Sequence, residues 1–273
     1  MSVRSTGLKR ILKLVARRIV VRVGTVGRAT ASLNISHGLR ILTYHRVAED
    51  LADPFCVAPA AFASQMELLA TTGAVVELGM ALAGLVEGTG PSPQIAITFD
   101  DGTEDFATAV FPVLHEYRLP ATLYVSPAKI GSRGYLTWNQ LKDLQASPVR
   151  IGSHGLDHRS LGKLDSQEAR KQIYESKHIL EERLGVQIDS LAYPFGTLRD
   201  FNEAVKGFAV DAGYHSACTS LNGVNRERSD RFALRRTKIE QGDLPIYRRI
   251  LSGGIDGWYV IDRYFSFVQS RYD

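Results

Sequence analysis

The sequence predicts an α/β protein in which parallel strands are covered by helices, either as a barrel or as an open sheet. Three observations carry this. Short apolar runs alternate with longer segments of helical periodicity along most of the chain. The composition, 44% hydrophobic and 23% charged over 273 residues, is that of a globular protein with a sizeable core. Polar residues of site-forming type collect directly after the apolar runs, where parallel α/β folds bind their ligands.

The chain opens on a basic segment. Arg4, Lys9, Arg10, Lys13, Arg17, Arg18, Arg22 and Arg28 stand there with no Asp or Glu among residues 1–28. They account for the whole net charge of +4, because the remaining residues hold 25 cations against 29 anions. Leu8, Ile11, Leu12, Val15 and Ile19 recur at helical spacing, so residues 1–28 read as a basic amphipathic helix or leader. No apolar core of signal length and no spanning run is present. Two readings stand side by side: peripheral contact with an anionic membrane through residues 4–23, or a solvated or domain-packed helix. The location expected is cytoplasmic, with the inner face of a membrane as the site of any such contact. A mildly acidic body argues against a nucleic-acid partner. Cys56 and Cys218 are too few for a disulfide scaffold.

Residues 29–39 form a linker, and a single domain is expected over 40–273. Strands are expected at Arg40–His45, Gln94–Phe99, Ala121–Ser126, Val149–Ser153, Ser190–Tyr193 and Tyr214–Thr219. Helices are expected at Pro59–Thr72, Glu104–Tyr117, Trp138–Ala146, Ser166–Leu184 and Phe201–Ala212. The helix Ser166–Leu184 has the clearest limits, with Asp165 or Ser166 to cap it and Gly185 to stop it.

The strand ends carry the chemistry. Asp100-Asp101-Gly102 follows the second strand run, and His154 and His158 follow the fourth. Pro194-Phe195-Gly196 follows the fifth, and His45 the first. Adjacent carboxylates point apart on a strand, but a turn at its end directs both into one cavity. One is then free to bind a metal while the other takes a proton. His154 and His158, four apart, would present two imidazoles on one turn of helix. Two His and one carboxylate leave an open position, the mark of a catalytic metal site. His37, His115 and His178 read as linker or helix-surface residues, and His215 as core.

Thr98-Phe99-Asp100-Asp101-Gly102, Ser153-His154-Gly155-Leu156-Asp157-His158 and Tyr193-Pro194-Phe195-Gly196 resemble the successive motifs of the polysaccharide deacetylases. This is the carbohydrate esterase family 4 or NodB-homology group. Leu119–Val125 and Leu136–Trp138 match its pattern as well, and the resemblance spans roughly residues 40–240. It implies a distorted (β/α) barrel of about seven strands. It also implies one divalent ion, Zn expected with Co, Ni, Mn or Fe also suited, on Asp101, His154 and His158. Asp100 is then the general base, and the backbone around Tyr193, Pro194 and Phe195 serves substrate and oxyanion.

The sequence departs from the family pattern at three places. Gly155 stands where a Ser or Thr is usual. Ala192 replaces the Arg that pairs with the base, which makes Arg235 or Arg236 the candidates to support Asp100. No His follows His215, so the late histidine motif is missing. Tyr44-His45 resembles the early Tyr-His motif of an exopolysaccharide deacetylase branch, which implies His45 as general acid. The function expected is metal-dependent removal of N-acetyl groups from an amino-sugar-containing polysaccharide, oligosaccharide or lipid-linked precursor. The alternatives are an O-acetyl esterase on the same scaffold and a catalytically degenerate glycan-binding protein.

Overall fold

A computed structural model describes residues 35, 37–50, 53, 55–88, 92–240 and 244–264. The basic segment 1–28 and most of the linker 29–39 lie outside the described residues. Among the described residues, no helix is long and apolar enough to cross a membrane.

Seven strands form one parallel sheet: β1 (Leu39–Tyr44), β4 (Gln94–Phe99), β5 (Ala121–Val125), β6 (Val149–Ser153), β7 (Ser190–Ala192), β8 (Ser216–Cys218) and β9 (Arg236–Lys238). Their order is β8-β7-β6-β5-β4-β1-β9. The two edges nearly meet. Thr219 N donates to Leu234 O at 2.8 Å and Leu234 N to Ala217 O at 2.9 Å, just ahead of β9. The architecture is therefore a nearly closed (β/α) barrel, which decides between the two sheet forms the sequence allows. β2 (Arg46–Val47) and β3 (Cys56–Val57) pair separately beside the first strand end.

The strands alternate with period two. Leu39, Ile41, Ala96, Tyr124, Ala192 and Cys218 face a small inner core, joined by Leu78, Ala81 and Leu82 of helix α2 (Leu78–Glu87). Leu42, Tyr44, Ile95, Ile97, Phe99 and Leu123 face a larger outer core under the helices. Those helices include α1 (Pro59–Thr72), α3 (Phe111–Glu116), α4 (Trp138–Leu144), α5 (Ser166–Leu184) and α6 (Glu203–Asp211). Asp165 caps α5 by accepting from Glu168 N at 2.9 Å, and Gly185 ends it at φ 70°.

Several expectations are corrected. The helix expected over Glu104–Tyr117 opens as a π-turn over Phe106–Val110 before α3, where Pro112 removes an amide donor. His215 is exposed, because the strand starts only at Ser216. The sequence reading also lacked α2, β9, α7 (Leu244–Leu251) and α8 (Trp258–Tyr264). Arg40 shows how the last two are held. It is fully buried on the outer face of β1 and grips Asp256, just before α8, through two hydrogen bonds of 2.8 and 2.9 Å.

Candidate active site

The carboxyl ends of the strands enclose a pocket of about 230 Å3. His45, Asp100, Asp101, His154, His158 and Arg236 line it together, although they come from four separated stretches of chain.

The first carboxylate is positioned by the strand and the second by the turn. Asp100 continues the inward alternation of Ala96 and Thr98. Asp101 then adopts φ 75° and Gly102 φ 69°, so the chain reverses and brings the second carboxylate into the same cavity. Gly102 is required here: a Cβ would stand 2.6 Å from Val125 Cγ1. An Asp in the left-handed region is tolerated better than most residues but carries some strain. His158 (φ 68°) and Phe195 (φ 62°) also line the pocket from left-handed backbone. Strain of this kind concentrates at functional sites.

The two histidines reach the pocket differently from the expected helical turn. Residues 154–160 form a loop, and the left-handed His158 swings its ring back beside His154 at 4.9 Å between centroids. Gln172 of α5, fully buried, holds this loop: its Oε1 accepts from Leu156 N at 3.0 Å and Asp157 N at 3.3 Å. Gly155, at φ 71°, takes a left-handed conformation that glycine adopts without strain.

Asp101, His154 and His158 fit a divalent cation. One ligand atom from each lies within 4.8 Å of the others. Asp101 Oδ1 is buried without a hydrogen bond of acceptable geometry, and faces His158 Nε2 at 3.1 Å and His154 Nε2 at 3.5 Å. His154 Nδ1 lies 2.7 Å from Ala192 O, a contact that places the proton on Nδ1 and leaves Nε2 for a ligand. Burial pushes the His154 imidazole down to about 4, so it is neutral, as a ligand must be. Burial would raise the Asp101 carboxyl, but the neighbouring imidazoles hold it well below the usual carboxylate range. Burial likewise opposes charge on His158, and Asp101 beside it outweighs this and raises its value.

Asp100 has its own partner. It is only 3% exposed, and Arg236 of β9, 2% exposed, grips it in a bidentate pair of 2.7 and 2.7 Å. Arg236 Nε donates to Thr219 O at 2.7 Å, and its guanidinium lies over Tyr124. Burial would raise the Asp100 carboxyl; the Arg236 guanidinium overrides this and lowers it. Of the two arginines weighed from sequence, Arg236 supplies the cation missing at Ala192. Arg235 points to the other face of the strand and lies 4.0 Å over the Tyr259 ring.

His45 faces Asp100 from the end of β1, with Nε2 3.9 Å from Asp100 Oδ2 and its ring against Phe55 at 5.2 Å. Its Nδ1 is buried without a hydrogen bond. Burial lowers the imidazole's value despite the two carboxylates nearby.

The third motif contributes less than expected. Phe195 is 42% exposed and lines the pocket. Tyr193 does not: its ring stacks on Phe201 at 4.9 Å and its hydroxyl donates to Phe232 O, so it braces the turn from the core. Pro194 is buried beneath the same turn. Sequence reasoning missed Lys238, Trp258 and Asp262, which complete the far wall. Asp262 accepts from Asn222 N at 2.8 Å and Nδ2 at 2.9 Å and so fixes the loop after β8.

Residues 87–217 match the family model for polysaccharide deacetylase. That stretch is a polysaccharide deacetylase domain. YxkH of Bacillus subtilis, provisionally named a polysaccharide deacetylase, is 29% identical over 177 residues, which cover 64% of this chain and 60% of YxkH. The poly-β-1,6-N-acetyl-D-glucosamine N-deacetylase of Staphylococcus epidermidis is 30% identical over 143 residues, 47% of this chain and 50% of that protein. The chain thus spans between half and three-fifths of the length of these two relatives. In structure, IcaB from Ammonifex degensii aligns with a TM-score of 0.70 at 22% identity over 81% of this chain and 98% of IcaB, a likeness of fold.

Proposed function

We propose that this protein hydrolyses N-acetyl groups on amino-sugar units of a glycan, with a divalent ion, Zn expected, held by Asp101, His154 and His158. The observation that carries this reading is the pairing of two differently tuned centres in one pocket. Asp100, kept ionised by Arg236, stands beside three convergent ligand atoms, and His45 faces Asp100 from the end of the neighbouring strand.

A divalent ion bound there supplies Lewis acidity for the acetyl carbonyl and lowers the pKa of water. Asp100 takes the proton of the attacking water, since Arg236 holds both its oxygens in place and holds the carboxylate in its basic form. His45 Nε2 delivers a proton to the departing nitrogen as the C–N bond breaks and acetate forms. Its neighbour Asp100 Oδ2, at 3.9 Å, is the group from which it reloads. A backbone N–H at the Phe195 turn, which lines the pocket, serves in this reading as the oxyanion donor. Phe55, Phe195 and Trp258 offer apolar faces for a pyranose ring. The early Tyr-His motif thus takes the place of the missing late histidine. The basic segment would tether the enzyme to anionic membrane, toward a lipid-linked or membrane-proximal glycan. Glutamine at Lys9, Lys13 and Arg17 then weakens vesicle binding several-fold in a phosphatidylglycerol sedimentation assay and leaves acetate release unchanged.

The test of the central reading is acetate release from N-acetylglucosamine oligomers together with metal analysis. Asp100→Asn abolishes release and retains the ion; His154→Ala loses both. Wild-type protein that binds no divalent ion at neutral pH overturns the reading.

A further inference from the structure

A second cavity, of about 670 Å3, reaches to the start of β1, where Asn225 pairs with Leu39. Neighbours along the chain line the one cavity and the other. Phe195 faces the pocket and Leu198 the groove; Ser220 and Asn222 face the pocket and Leu221 the groove; Trp258 faces the pocket and Tyr259 the groove. Phe195 and Leu198, each 42% exposed, line one cavity each.

The groove has a charge character of its own. Arg226, Arg228 and Arg235 line it, and among the described residues none of them has a carboxylate within ion-pair distance. Its acidic lining residue, Asp230, is taken by Lys206 at 2.7 Å and by Phe232 N. Arg235 is also held in place. Its amide donates to Asn225 Oδ1 at 2.9 Å, and its guanidinium lies 4.0 Å over the Tyr259 ring. One held guanidinium and two exposed ones in the same groove suit an oxyanion, because the fork geometry matches carboxylate and phosphate oxygens. The rest of the domain is mildly acidic, so the cluster is not a general surface property.

We propose that this groove is a subsite for an acidic unit of the glycan, binding a carboxylate or phosphoryl group on a sugar several units along from the one deacetylated in the pocket. The proposal rests on the deacetylase reading and narrows it: the preferred substrate is an anionic glycan rather than a neutral homopolymer. A chain that passes from Phe195 to Leu198 would lie in both cavities.

Three oligosaccharides of equal length test it with the metal-loaded full chain. One is a neutral N-acetylglucosamine oligomer, one alternates N-acetylglucosamine with glucuronate, and one is the neutral oligomer bearing a terminal phosphate. The expected KM for an acidic oligomer is about tenfold below that of the neutral one, the scale of one charge-assisted hydrogen bond, at similar kcat. Which acidic oligomer gains tells carboxylate from phosphate. Arg226→Gln with Arg228→Gln, both exposed positions, raises the acidic KM to the neutral value and leaves the neutral KM unchanged. Added salt erodes the same advantage. Equal wild-type KM for all three, or a variant that raises every KM alike, overturns the proposal. Calorimetric binding to Asp100→Asn protein gives a readout independent of turnover. Tenfold tighter binding of an acidic oligomer, lost with the two arginines, supports the groove even if no acetate is released by the wild type. Acetate release from all three without any preference overturns the groove and leaves the deacetylase reading standing.

Discussion

The two rims of the pocket are built in opposite ways. At the ends of β4 and β6, chemistry comes in contiguous motifs, and backbone turns do the placing. Asp101, Gly102, Gly155 and His158 all take left-handed conformations, and Gln172 fastens the histidine loop. At the ends of β1 and β9 and on α8, single residues do the work across long separations. His45 faces Asp100, Arg236 joins Asp100 to Thr219 O, and Asp262 holds Asn222. The first rim gathers ligand atoms; the second sets the charge and proton inventory of Asp100. If this division is right, substitutions on the two rims separate metal affinity from turnover.

The largest effect expected on the second rim is at Arg236. Arg236→Met leaves Asp100 buried without the guanidinium that pairs with it. Breaking a buried pair from one side costs about 3–5 kcal/mol, and a base pushed toward its neutral form loses about 100- to 10,000-fold in kcat. Metal content stays at one equivalent. Chemical denaturation, inductively coupled plasma analysis and acetate release measure the three. The double variant Asp100→Asn with Arg236→Met recovers much of the lost stability, because the uncompensated charge is gone. A loss of metal equal to the loss of activity would break the division between rims.

His45 comes next. His45→Ala slows amide cleavage by about 100-fold or more, within the span for a general acid. It slows cleavage of an activated acetyl ester far less, because that leaving group departs without a proton. Equal slowing of amide and ester removes His45 from the acid's role and leaves it a packing residue against Phe55.

The same contrast explains what the sequence revealed. Asp100, Asp101, His154 and His158 were legible because a motif at a strand end is local: residue type and spacing carry it. The strands β4 and β6 and the helices α1 and α5 were legible to the residue because their apolar period and caps are local too. Arg236 was narrowed only to a pair. β9 itself stayed hidden, because its inward positions are Arg236 and Lys238, where a buried strand would show apolar residues. A strand that faces the active site spends its core-facing positions on chemistry and loses its own signature. Tyr193 failed for the converse reason. It lies within a motif, yet the alternation at the end of β7 turns it into the core and leaves Phe195 at the rim. Trp258 and Asp262 had no local signal, since only the Arg40–Asp256 tether and the packing of α8 bring them to the pocket.

The smallest effect tests the first rim from behind. Gln172 touches no substrate and no ligand atom; it accepts from two loop amides, Leu156 N and Asp157 N, that otherwise have nowhere to turn inside the protein. Gln172→Met keeps the volume and removes the acceptor. The His154–His158 loop then loosens without losing a ligand. Groups that orient metal ligands from outside are worth about 10- to 100-fold in affinity, and the lower end is expected here because Ala192 O still holds His154. Competition against a chelator measures the affinity. With metal in excess, kcat returns to the wild-type value, whereas no excess of metal restores Arg236→Met. A Gln172→Met protein whose turnover stays low at saturating metal would mean that the histidine loop serves the proton chemistry as well as the ion, and that the two rims work as one.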